Sequence, residues 1–376
     1  MLHSILKRVQ NRLAPRPSDP TLIFTAAETG NVDLLKKALK YTNIETQRVD
    51  GVTPLILAAL NGHLDAVQFL LKSGADPENR SAEGWTAYNF ARGQQHSEII
   101  ALLLEAHGGK PPLYDHRAKV LKTFDQSRLN VYRKVYGERV LQEKPFYNIG
   151  AGTTYHPAWQ NVDHMSDYYA SDLNNNIDID WDISALGRMP VPDNSALAVY
   201  SSHTVEHIMD AHAEHMFREA YRVLKPGGFL RVTTPDIDLY YNACVDQDET
   251  FALYGDMRAA GMPFETCFLN EFATQLRENM DQGERAEEIR KVFSTRPYEE
   301  ALNYYTSQID FSIQQDRVGM HVNWWNAAKL SRALTEAGFK TVYRSGYSQS
   351  RCPAMRDTLT FDSTDIQTSV YIEAIK

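Results

Sequence analysis

Two periodicities divide the chain. In the front third, apolar positions fall three and four apart in short blocks, and the blocks recur. Gly51-Val52-Thr53-Pro54-Leu55-Ile56-Leu57-Ala58-Ala59 aligns with Gly84-Trp85-Thr86-Ala87-Tyr88-Asn89-Phe90-Ala91 at a period of 33 residues (84 − 51). Leu64, Val67, Leu70 and Leu71 then fall over Ser97, Ile100, Leu103 and Leu104. An earlier, irregular copy carries Ala26-Ala27 and Gly30-Asn31-Val32-Asp33-Leu34-Leu35. From residue 145 the pattern changes to apolar runs of strand length alternating with helix-spaced segments. The runs predict strands at 146–149, 160–163, 178–181, 196–201, 228–234, 340–347 and 368–375, with the clearest helices at 211–225 and 326–337. Such alternation implies a mostly parallel sheet covered by helices.

The front blocks resemble ankyrin repeats, the central one closely: Thr53-Pro54-Leu55, Ala58-Ala59, Asn61-Gly62-His63 and Gly74-Ala75-Asp76 all match that pattern. Thr53 is placed to cap a helix whose first turn accepts Pro54, and paired alanines let two helices approach closely. One unit cannot bury its own face, so about three stacked units, with irregular outer copies as caps, are expected over 20–109. Such an array offers a surface for a protein partner or for a second copy of the chain. Gly108-Gly109-Lys110-Pro111-Pro112 ends it, because paired glycines and prolines do not continue a helix. Residues 110–144 are expected to form a helical connector. Before the array, residues 1–19 carry Lys7, Arg8 and Arg12 among apolar residues, an amphipathic basic helix suited either to a membrane surface or partner, or to capping the first repeat.

In the second pattern, Phe146-Tyr147-Asn148-Ile149-Gly150-Ala151-Gly152 is an apolar run ending in Gly-x-Gly, the mark of a strand passing into a turn of closely approached backbone. Gly-x-Gly alone also suits a dinucleotide-binding dehydrogenase. That fingerprint would place a third small residue at Tyr155 and a full helix behind it, yet only ten residues (162 − 153 + 1) lie between Gly152 and Asp163. The short loop is followed by Trp159-Gln160-Asn161-Val162-Asp163, then by Ser202-His203-Thr204-Val205-Glu206-His207 and Leu224-Lys225-Pro226-Gly227-Gly228. As an ordered set these resemble the type 11 branch of class I S-adenosylmethionine-dependent methyltransferases, over about residues 145–240 and again at 321–376. The resemblance implies an α/β, Rossmann-like sheet of seven strands with a final antiparallel edge strand at Ser369–Ile375, after an all-α ankyrin domain. It makes 145–376 the methyltransferase domain and S-adenosylmethionine its cofactor.

It also implies residue roles. Gly150, Ala151 and Gly152 would pass under the methionine moiety, and Asp163 would accept the ribose hydroxyls. Asp182, with Asp180 as its rival, would meet the adenine amino group, Ile183 would give an apolar face, and Ser202 would lie at the same end of the sheet. Methyl transfer is chiefly a positioning problem, and a base is needed only for an acceptor that arrives protonated. His207 with Glu206 is one candidate and His321 another; the alternative for Glu206-His207 is that they begin a helix. Asp236 would meet a cationic or hydroxyl acceptor, or cap the helix from Ile237. Residues 237–320, rich in aromatics, form an insertion expected to pack mainly as core and to act as a lid over the acceptor. Arg351 and Arg356 are candidates for an anionic acceptor.

Composition narrows the setting. A 376-residue chain favours two domains, and 43% hydrophobic with 23% charged residues is globular. The net charge of −9 weighs against a nucleic-acid substrate. Cys244, Cys267 and Cys352 have neither disulfide-framework nor zinc spacing, so no metal is expected and a reducing cytoplasm is the natural compartment. No run of 18 apolar residues appears, so no transmembrane segment is expected. The expected function is transfer of a methyl group to an O or N atom of a small metabolite, natural product or peptide; the alternative is a non-catalytic ankyrin and methyltransferase-fold scaffold.

Overall fold

The computed structural model describes residues 21–81, 85–94, 96–110, 112, 116–164, 176–277, 282–314 and 319–376. The basic segment 1–19 and Gly84 lie outside them. The chain separates into two compact units, with the division between His116 and Arg117.

Among the described residues the first unit contains six helices: α1 Leu22–Glu28, α2 Val32–Ala38, α3 Pro54–Leu60, α4 Leu64–Lys72, α5 Ala87–Gly93 and α6 Ser97–Ala106. Their starts are set locally. Asn31 accepts from Leu34 N–H, Thr53 from Ile56 N–H with Pro54 in the first turn, and Thr86 with Asn89 forms a reciprocal capping box. Ala26, Ala27, Ala58, Ala59 and Ala91 are fully buried, which lets the helices stack closely. Neighbouring repeats are then stapled by histidines. The Nε2 of His63 lies 2.8 Å from the Glu28 carbonyl oxygen, and that of His96 lies 3.2 Å from the Leu60 carbonyl oxygen. Gly30 and Gly62 sit at positive φ directly under these rings, where a Cβ would come within 2.6 and 2.7 Å of ring atoms.

Helix α7 His116–Thr123 begins at the division, and α8 Asn130–Tyr136 and α9 Val140–Glu143 follow in the second unit. A seven-stranded sheet follows, built from β1 Phe146–Ile149, β2 Gln160–Asp163, β3 Ile179–Asp180, β4 Ala196–Ser202, β5 Leu224–Pro235, β6 Thr341–Arg344 and β7 Ser369–Ile375, in the order β3-β2-β1-β4-β5-β7-β6. The first five are parallel, and β7 is antiparallel to both neighbours. This corrects the expected edge position of Ser369–Ile375: β7 lies inside the sheet and β6 forms the edge. The cause is burial on both faces. Glu373, a charge that would suit a solvent-facing strand, is fully buried against Arg231 of β5 at 3.0 Å, and the same guanidinium binds Asp362.

Side chains alternate across the sheet. Tyr147, Ile149 and Val199 join one core with Ala213, Met216, Phe217 and Ala220 of α10 Asp210–Val223, and with Leu330 and Leu334 of α17 Ala327–Glu336. Phe146, Ala198 and Tyr200 point to the other face, against Leu129, Tyr132, Val140 and the segment around Cys352–Phe361. Between β5 and α17 run α11 Ile237–Val245, α12 Gly255–Ala259, α13 Phe264–Asn270, α14 Gln282–Thr295, α15 Tyr298–Thr306 and α16 Phe311–Gln314. Their aromatics form a separate core containing Tyr240, Tyr254, Phe264, Phe268 and Tyr305, as the insertion's composition suggests.

Candidate functional site

The carboxyl ends of β1, β2 and β4 meet at one turn. Gly150 and Gly152 take φ of +65° and +51°, but their surroundings differ. A Cβ on Gly150 would come within 2.2 Å of the Thr204 hydroxyl, so its glycine makes room for the chain beyond β4. Among the described residues no atom lies within 4 Å of a Cβ on Gly152, so its outer side is open to them. The turn is anchored from below: Gly152 N–H donates to Asp163 Oδ2 and His164 N–H to Oδ1, both at 2.8 Å. Burial pushes the Asp163 carboxyl up, and these two bonds only partly offset it. Ala151 is buried between the glycines.

Two asparagines hold the far side of the loop. Asn161 Nδ2 donates to the carbonyls of Thr154 and Asn176 at 2.7 and 2.9 Å, and Asn176 Nδ2 donates to Gly152 O at 2.6 Å. Asn161 was visible within the Trp159–Asp163 motif; nothing in the sequence distinguished Asn176 from its neighbours. Asp182 accepts from Ser184 N–H and Oγ–H on the same oxygen, Oδ1, at 2.8 and 2.6 Å. Burial works against its charge, but the Ser184 bonds prevail and hold its carboxyl below the usual range. Ile183 is partly buried against the main core. Asp180 is exposed and pairs with His164 at 2.9 Å, outside this arrangement. Ser202 shares a hydrogen bond with Thr233 at 2.8 Å, tying the ends of β4 and β5.

Beyond β4 a single helical turn, Val205–His207, presents Glu206 and His207. His321 reaches them from the end of the insertion: Val322 and Asn323 N–H donate to Glu206 O at 2.8 and 3.2 Å, and the His207 and His321 rings stand 4.9 Å apart, edge to face. The structure thus joins three of the four predicted catalytic residues. Glu206 is buried, and Oε2 accepts from the Thr234 hydroxyl at 3.0 Å. Burial alone would raise its carboxyl; the close approach of His203 and the charges of His207, His203 and His321 instead bring it to about 2. Burial lowers His207 despite Glu206, favouring the neutral ring. His203, which the sequence reading left unassigned, has φ +50°, approaches Glu206 Oε1 at 3.1 Å and shares a hydrogen bond with Ser369 Oγ.

Asp236 stands apart from this trio. It occupies the position before α11, yet its side chain makes no capping bond; Oδ2 takes Arg344 at 3.2 Å, while buried Oδ1 has no hydrogen-bond partner among the described residues. Arg351 and Arg356 do not converge on a ligand site. Arg351 lies over the Tyr343 ring and Arg356 donates to the carbonyls of Ser350 and Arg351, so both are taken up by their own loop and strand. The cysteines Cys244, Cys267 and Cys352 are all free and buried, and among the described residues no helix is long and apolar enough to cross a membrane.

Residues 148–232, which span the glycine turn, Asp163 and the Glu206-His207 segment, match the family model of a methyltransferase domain. The second unit carries a methyltransferase domain. Residues 4–81 and 22–115 match the ankyrin-repeat model, in three copies. Among curated relatives, the chain is 39% identical over 85 residues to the ankyrin repeat and SAM domain-containing protein 6 of Mus musculus, covering 22% of this chain and 10% of that protein. It is 37% identical over 82 residues to the potassium channel AKT1 of Arabidopsis thaliana, covering 22% and 10%. For phosphoethanolamine N-methyltransferase 3 of Arabidopsis thaliana the identity is 28% over 146 residues, covering 35% of this chain and 29% of that one. The chain therefore spans about a tenth of the first two relatives and under a third of the third. These matches make the protein an ankyrin-repeat array joined to a class I methyltransferase domain.

Proposed function

We propose that the methyltransferase domain binds S-adenosylmethionine and transfers its methyl group to an O or N atom of a small metabolite, natural product or peptide. The observation that carries this reading is the open-sided Gly152 turn fastened to the Asp163 carboxylate. Each Asp163 oxygen accepts one backbone N–H, and a carboxylate oxygen has a second lone pair to offer. Asp163 therefore retains acceptor capacity for two ribose hydroxyls. Asp182 concentrates its Ser184 bonds on Oδ1, leaving Oδ2 for the adenine amino group, beside the apolar Ile183. Gly150, Ala151 and Gly152 supply the backbone floor, and Ser202 closes the site towards β5.

The bound cofactor supplies an electrophilic methyl group on a sulfonium centre. The protein's share is to hold the acceptor in line, exclude water and, for a protonated acceptor, take up a proton. Neutral His207, backed by Glu206 and faced by His321, is the group suited to that proton; Asp236, with its spare buried oxygen, is the candidate for a cationic or hydroxyl group of the acceptor. Similarity to a phosphoethanolamine N-methyltransferase favours nitrogen as the accepting atom. The ankyrin repeats are assigned to partner binding or dimerisation, and the buried free thiols suit the cytoplasm.

Isothermal titration with S-adenosylmethionine and S-adenosylhomocysteine tests this. Both should bind, and Asp163→Ala should weaken binding more than tenfold, since hydrogen bonds to a charged group contribute roughly 1.5–3 kcal/mol. No binding of either ligand by the native protein would favour the scaffold alternative, and an unchanged dissociation constant in the variant would remove Asp163 from the site.

A further inference from the structure

We infer that Glu206, His207 and His321 form a binding site for one divalent transition-metal ion. Each of the three side chains offers one ligand atom, and these atoms lie within 4.8 Å of one another. The backbone fixes their spacing. Glu206 and His207 share one helical turn, and the irregular segment carrying His321 is bonded to that turn through Val322 and Asn323 N–H.

The surrounding hydrogen bonds orient the donors as a metal site requires. His207 Nδ1 lies 3.1 Å from Met320 O, and His321 Nδ1 lies 2.8 Å from Glu271 O. A ring whose Nδ1–H is given to a carbonyl carries its lone pair on Nε2, and such carbonyl partners are the usual outer support of ligating histidines. His207 Nε2 already stands 4.0 Å from Glu206 Oε1.

Glu206 supplies an independent indication. Its side chain is 2% exposed, Thr234 occupies Oε2, and buried Oε1 has no hydrogen-bond partner among the described residues. His203 Nδ1 approaches that oxygen at 3.1 Å without hydrogen-bond alignment. A buried carboxylate oxygen without a bond is costly unless something charged meets it, and here it points among imidazole nitrogens. Two imidazoles and one carboxylate are the donor set of first-row divalent ions such as Zn2+ and Co2+ rather than of Mg2+ or Ca2+, and three protein ligands leave a coordination position open.

Thr204, two residues before Glu206, touches the Gly150 turn. An acceptor oxygen entering the open coordination position would lose its proton to solvent near neutral pH, in place of transfer to His207, whose Nε2 lone pair the ion would take. This catalytic use rests on the methyltransferase reading; the binding of the ion does not.

The test uses the untagged chain, stripped with chelator and dialysed. Titration with Co2+, followed by its visible d–d absorption, and with Zn2+ by calorimetry should each give one ion per chain. Glu206→Gln, which preserves shape, and His321→Ala should each weaken uptake tenfold or more while keeping the native circular dichroism. Absence of stoichiometric uptake by the native chain would overturn the proposal whatever the variants do, as would unchanged uptake in both folded variants. S-adenosylmethionine titrated into the same samples separates the two readings. Metal uptake without cofactor binding removes the catalytic use alone; cofactor binding without metal uptake removes the metal site alone.

Discussion

Gly150 and Gly152 stand two residues apart in the same turn, yet they are glycines for different reasons, and substitution should separate them. Both have positive φ, which costs an alanine about 1–2 kcal/mol. Gly150→Ala adds a clash with Thr204 at 2.2 Å, so it should lower the melting temperature most and weaken ligand binding as a consequence. Gly152→Ala adds no protein clash. Its methyl group would stand in the open side of the turn, so affinity for S-adenosylmethionine should fall far more than stability does. Calorimetry of binding alongside thermal melts measures both; a Gly152→Ala protein that binds as the native one does would move the ligand elsewhere. Both glycines and Asp163 stand out in the sequence because they sit in short local motifs. The sequence did not display the Glu206–His207–His321 set as a set, because His321 lies 114 residues (321 − 207) beyond His207 and only the folded insertion brings it back.

Among the elements, the same division holds. Strand and helix positions were legible to within a few residues, since alternation and 3.6-residue spacing are local properties. Strand order is not local. The family resemblance suggests an edge place for Val370-Tyr371-Ile372-Glu373-Ala374-Ile375, and the partner that makes its charge tolerable inside the sheet, Arg231, lies on another strand 142 residues away. Arg231 binds Asp362 and Glu373 with all three side chains fully buried. Removing one partner of a buried ion pair typically costs about 3–5 kcal/mol, so Arg231→Ala should destabilise the second unit by that order in urea titrations; a loss under about 1 kcal/mol would show that the network is dispensable. A second charged contact ties the loop before β7 to the start of this unit: Arg128 meets Asp357 at 2.6 Å. Burial opposes the Asp357 charge, but His156 and Arg128 hold its carboxyl below the usual range. A lowered native pKa means stability that is present above the unfolded value, near pH 4, and is lost as pH falls through the native one. Asp357→Asn should therefore melt below the native protein at pH 7, with the gap closing on acidification below about pH 4. A gap independent of pH would exclude the charge as its cause.

At the scale of the molecule, the two units have separate cores: the first draws on residues from Leu22 to Leu104, the others on residues from Val120 onward. Units with their own cores should melt as distinguishable transitions, and each can be moved by a change addressed to it alone. Gly62→Ala is such a change for the first. Its Cβ would stand 2.7 Å from the His96 ring at φ +75°, between consecutive repeats. Stability in stacked repeats is a sum of units and interfaces, so a loss of roughly 1–3 kcal/mol at one interface should lower that whole transition. S-adenosylmethionine is the matching change for the second unit, since a ligand at a hundred times its dissociation constant stabilises the state that binds it by about 2.7 kcal/mol. Scanning calorimetry of the native chain and Gly62→Ala, each with and without the ligand, then makes a two-by-two comparison. The substitution should lower one transition, the ligand should raise the other, and neither shift should depend on the other change. One transition that follows both would mean the repeats and the methyltransferase domain unfold as a single cooperative body.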